Sequence, residues 1–104
     1  PLTAVICSND LLAISLLGAA ARAGVSVPHQ LSVIGFDGIA LGEQLSPSLA
    51  SVVQPIALMG TLAIDLLLNP GSETHLLPHH LRLGESIAPA FYGSSSGKHH
   101  VTHV

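Results

Sequence analysis

Leu31-Ser32-Val33-Ile34-Gly35-Phe36 runs uncharged into Asp37-Gly38, and the layout of this stretch decides how the rest of the chain is read. A short apolar run bounded by a turn signal reads as a strand buried on both faces of a sheet. The same layout stands upstream, where Thr3-Ala4-Val5-Ile6-Cys7 runs into Ser8-Asn9-Asp10, and downstream, where Ala50-Ser51-Val52-Val53 runs into Gln54-Pro55. Open parallel α/β sheets bind ligands in the crevice outside the carboxyl ends of their strands. Asn9, Asp37 and Gln54 therefore stand where such a crevice would lie.

The segments between these strands complete the pattern. Residues 11–23 are apolar except for Ser15 and Arg22, with Ser8 or Asn9 as the cap, Asp10 in the first turn and Gly24 as the stop. A helix apolar all round is buried on two sides, and one sheet covers only one of them. Residues 39–45 read as a short helix or irregular segment closed by Ser46-Pro47-Ser48. Pro55 opens a second helix over 56–68, whose one wet stripe is Thr61 and Asp65. Residues 75–83, then Ile87 and Ala88, read as one or two final strands, and the Gly/Ser/His-rich residues from Gly93 onward as a disordered tail. The order predicts an α/β fold with a doubly wound parallel sheet and right-handed connections.

Composition narrows the function. Only 9% of the 104 residues are charged and 48% are hydrophobic, against roughly 25% charged in ordinary domains. So little charge predicts that a partner, or further chain, covers part of the surface, and a start on Pro1 fits a fragment or a processed chain. The three basic residues, Arg22, Arg82 and Lys98, are too few for the phosphate contacts of a duplex-binding surface. The longest apolar stretch, Leu11 to Ala21, is too short to span a bilayer, and no membrane partner is expected. Cys7, the single cysteine, precludes an internal disulfide and reads as a small buried hydrophobe.

Asp37 is the strongest candidate ligand contact. An ionised carboxylate only accepts, and it takes two adjacent hydroxyls of a sugar or nucleoside. The competing reading is a plain Asp-Gly turn. Asn9 offers donors and an acceptor, or else simply caps a helix. Gln54 is held extended by the proline that follows it, with its amide directed at a ligand or a backbone group. Phe36 alternates with Asp37 across the strand, so core packing is its default and contact with a ligand ring the weaker reading. Gly93-Ser94-Ser95-Ser96-Gly97 matches the nucleophile pattern G-x-S-x-G without the flanking strand and helix that the elbow requires. His99, His100 and His103 lack a fourth ligand nearby, and His79 and His80 point to opposite faces of a strand. Neither an enzyme nor a metal or cofactor is predicted.

Taken together, these motifs resemble the LacI/GalR family of transcriptional regulators. The resemblance rests on Pro1-Leu2-Thr3-Ala4-Val5-Ile6-Cys7-Ser8-Asn9-Asp10-Leu11-Leu12-Ala13, Gly24-Val25-Ser26-Val27-Pro28, Leu31 to Asp37, Leu45 to Leu49, Val52-Val53-Gln54-Pro55, Met59-Gly60 and Leu77-Pro78. It implies the C-terminal part of an effector-binding module with a type I periplasmic-binding-protein-like fold. Residues 1–91 would form mainly the C-terminal lobe, 56–76 would cross to the N-terminal lobe, and 92–104 would be the disordered tail. It further implies a small effector such as a sugar, bound by Asp37, Asn9, Gln54, Phe36 and Ile56. It implies a homodimer with Ile14 and Leu45 at the interface, operator DNA bound only through a domain outside these residues, and a cytoplasmic protein. Gly84 stands where many members carry Arg before Glu-Ser, which removes a basic anchor. The alternative is a fragment of a periplasmic sugar-binding protein of an ABC transporter, which shares the fold.

Overall fold

A computed structural model describes residues 1–71, 73–90 and 101–103. The three apolar runs form β1 (Ala4–Ile6), β2 (Ser32–Asp37) and β3 (Ala50–Val53), paired in parallel, each beside the next. Between β1 and β2 lies α1 (Asp10–Arg22), and a short 3-10 helix, Ala40–Gln44, joins β2 to β3. After β3 comes α2 (Ile56–Leu68), then β4 (His80–Arg82) and β5 (Val101–His103), giving the sheet order β4-β3-β2-β1-β5.

The expected parallel α/β sheet is present, with one addition: β4 runs antiparallel to β3 at the edge. The strand expected over 75–83 contracts to three residues, and Ile87 and Ala88 form none. Those two instead follow Ser86, whose hydroxyl donates to Val33 O (2.6 Å) and accepts from Ala50 N (2.8 Å). Val33 N also donates to Ser86 O and Glu85 N to Ser48 O (2.8 Å each), so side-chain and backbone bonds together tie this segment to the start of β2 and β3 without a strand. The tail expectation is corrected at Val101–His103, which pair in parallel with Ala4–Ile6. Parallel edge groups left unpaired on β1 are a template for any extended segment, and Val-Thr-His has the β-branched content to take that place. The rest of the expected tail lies outside the described residues.

Alternation along β1 and β2 sends Val5 and Val33 to one face, where α1 packs with Ala13. Cys7 and Leu49 complete the core, flanked by Ile14, Leu16, Leu17, Val27 and Leu31. Burial pushes the Cys7 thiol above its ordinary pKa, so it behaves as an inert hydrophobe. No described element packs on the opposite face with Ile6 and Phe36, which are each 40% exposed. Phe36 is therefore not the core residue that the alternation pattern predicts.

Candidate functional site

The carboxyl ends of β1, β2 and β3 lie side by side, and the side chains there have separate tasks. Asn9 has an extended backbone and its Oδ1 accepts from Leu12 N at 2.9 Å, capping α1. Asp37 ends β2 with φ of 118°, a conformation unusual for any residue with a side chain. Its Oδ1 accepts from Gln54 Nε2 at 2.8 Å, while its carbonyl accepts from Gln54 N at 3.2 Å. The structure thus joins Asp37 and Gln54 directly. No described residue donates to Asp37 Oδ2, and no described residue is bonded to Gln54 Oε1.

Beside this pair an open depression runs between the Asp37–Ile39 turn and residues 54–58, with the half-exposed Ile56 on its rim. Its lining contains Asp37, Gln54 and Ile56 but neither Asn9 nor Phe36. Among the described residues no Lys, Arg or His lines it, so it suits hydroxyl donors better than anions. Gly38 is required at the turn: its φ is 75°, and a Cβ there would fall 2.6–2.8 Å from Val53 atoms.

Two residues that hold this turn escape a reading by strand ends. Asp10, expected only as a first-turn acid, is fully buried. Its Oδ1 accepts from Ser51 Oγ at 2.6 Å and its Oδ2 from Ile39 N at 2.8 Å. Arg82 donates from Nη1 to Gly38 O (3.3 Å) and Ile39 O (3.2 Å), and from Nε and Nη2 to Leu49 O (3.3 Å each). Its contact with Glu43 at 3.7 Å involves a 60% exposed carboxylate and contributes little. A basic anchor is thus present, contrary to the expectation drawn from Gly84. That glycine has φ of 55°, and a Cβ would lie 2.7–2.8 Å from backbone atoms of residues 48–50. The available signal was Ser51: a polar residue inside a buried run needs a buried partner.

Between α1 and the segments that follow it, Ile14 and Leu45 share a second, mainly apolar hollow with Leu17, Val25, Val27 and Pro47. Ile14 and Leu45, the two residues expected at an interface, thus line one hollow. Among the described residues no group of three or more His, Cys, Asp or Glu is placed to hold a metal ion. No helix of the described residues is long and apolar enough to cross a membrane.

Comparison with known proteins gives this geometry a lineage. The model of the periplasmic binding protein-like domain matches residues 1–87. The chain is 42% identical over 66 residues to the HTH-type transcriptional repressor PurR of Photobacterium profundum, covering 64% of this chain and 20% of that protein. It is 41% identical over 76 residues to the HTH-type transcriptional repressor CytR of Escherichia coli, covering 73% and 22%. A LacI family transcriptional regulator from Enterococcus faecium, solved with bound ribose, superposes with a TM-score of 0.74 at 34% identity, covering 86% of this chain and 35% of that one. The chain therefore spans only a fifth to a third of the length of these proteins.

Proposed function

The chain belongs to the periplasmic binding protein-like domain family, as the C-terminal part of an effector domain of the LacI/GalR type, and on that premise we propose that it supplies one wall of an effector site. The hydrogen bond from Gln54 to Asp37 carries this reading. It fixes one carboxylate oxygen and leaves the other, with Gln54 Oε1, as two neighbouring acceptors on an open depression. Two acceptors with no cation among the described lining residues suit adjacent hydroxyls of a neutral sugar or a related small polar ligand. Ile56 would add apolar contact at the rim, whereas Asn9 and Phe36 would reach the ligand only from outside this depression.

In the whole regulator, a ligand held between this wall and an opposite one would shift the balance between lobe arrangements, and with it DNA binding by a separate domain. It does so only through different affinities for the two states. The hollow around Ile14 and Leu45 would pair with its copy in a homodimer. A regulator of operator DNA acts in the cytoplasm, and its work at this site is binding, not catalysis. The repressor names of the relatives support this reading over a transporter's solute-binding protein.

In the complete protein, Asp37→Ala is expected to weaken binding of its sugar effector by about 1.5–3 kcal/mol, the scale of hydrogen bonds to a charged group. Calorimetry against a panel of neutral sugars that includes ribose measures it. Affinity equal to that of the parent protein would remove Asp37 from the site.

A further inference from the structure

Asp37 is held by the two peptide groups that follow it, and both are gripped by side chains from distant parts of the chain. Gly38 N donates to Ser51 Oγ at 2.9 Å and Ile39 N donates to Asp10 Oδ2 at 2.8 Å. Ser51 Oγ in turn donates to Asp10 Oδ1. The carbonyls of the same two residues both accept from Arg82 Nη1, so none of these four backbone groups is left to a strand ladder. Asp10 and Ser51 are fully buried. We propose that Asp10 and Arg82 are positioning residues for the effector site, a clamp that closes on the Gly38–Ile39 turn from both sides and thereby sets the Asp37 carboxylate against Gln54.

The inference rests on the reading of Asp37 as the effector contact, and it explains how a residue with φ of 118° keeps one orientation. Backbone in so unfavourable a region persists only where its surroundings over-determine it. The two halves of the clamp differ in kind. Asp10 sits in the first turn of α1, where the helix N-terminus favours a carboxylate that no described residue pairs with a cation. Arg82 lies on β4, the strand by which the chain returns from α2, and its planar fork spans two carbonyl sites at once. Gln54 lies on the outgoing side of α2 and Arg82 on the return, so both connections of that helix converge on Asp37.

The test uses the full protein with Arg82→Ala, Arg82→Lys and Asp10→Ala, read by amide exchange and by the Gln54 side-chain NH2 resonance. Arg82→Ala and Asp10→Ala are each expected to speed exchange at Gly38 and Ile39 by about tenfold or more, with Val33 and Ile34 unchanged. The Gln54 resonance should move to the position of a free amide. Arg82→Lys keeps the charge without the fork and should fall between parent and alanine variant. Ribose serves as the probe ligand, and its affinity should fall about fivefold to tenfold in Arg82→Ala, the worth of one net hydrogen bond. Unchanged exchange at Gly38 and Ile39 with an unmoved Gln54 signal would overturn the clamp. So would equal acceleration along all of β2 and β3, which marks plain loss of stability. Should an alanine variant fail to fold, Arg82→Lys alone decides on the same two signals. If ribose binds parent and Asp37→Ala alike while both signals respond, the clamp stands and the effector reading of Asp37 falls.

Discussion

A carboxylate at φ of 118° costs its protein about 1–3 kcal/mol of backbone strain. Two substitutions that both delete the carboxylate separate that cost from the function of the side chain. Asp37→Ala keeps a Cβ and therefore the strain; Asp37→Gly removes both. Both lose the bond to Gln54 Nε2, so that term cancels between them. The glycine variant should be more stable than the alanine variant by about 1 kcal/mol, after the greater unfolded-state freedom of Gly is subtracted. Urea denaturation of the two side by side measures the difference, and the reverse order would mean that the backbone at residue 37 is relaxed. Asp37 and Gln54 were legible in the sequence because strand ends are local. Asp10 and Arg82 were not, because their worth depends on which carbonyls and amides folding brings near them.

The two helices divide sharply in what they bury. α1 sinks Asp10, Ala13 and Ala20 against the sheet, as its cap and stop signals predict. α2 buries none of its residues, although its boundaries fall on the predicted 56–68. Ile64, Leu67 and Leu68 are 57%, 73% and 71% exposed. Periodicity and Pro55 reveal such a helix but not its partner, and an apolar surface of this kind drives association. The 104-residue chain on its own is therefore expected to self-associate through α2. Ile64→Glu with Leu67→Glu should lower the sedimentation coefficient toward that of a monomer without lowering the denaturation midpoint, since neither side chain supports the core. A parent chain already sedimenting as a single monomer would refute this. At β4 and β5 the sequence was less legible for a related reason. These strands are three residues long, pair only at the two sheet edges, and carry little of the buried apolar pattern that identifies a strand.

With a radius of gyration of 17.2 Å and extents of 59 × 28 × 18 Å, the chain is far from the roughly 13 Å of a compact domain its size. The excess follows from where the packing is. The sheet and α1 share one core, whereas α2 stands outside it with only Leu62 and Leu66 half-buried. A helix of 13 residues without tertiary support is marginal in water. Stability in the chain alone should then be layered, and hydrogen exchange reads the layers directly. At concentrations below self-association, amides of α2 should exchange within about tenfold of unstructured rates, while Val33 and Ile34 exchange only through global unfolding. In a complete regulator whose second lobe covered α2, as the resemblance implies, the same α2 amides should gain protection approaching that of β2. Protection of α2 equal to that of Val33 in the dilute chain would mean that this helix is covered from within these residues, and that neither association nor a second lobe is needed to hold it.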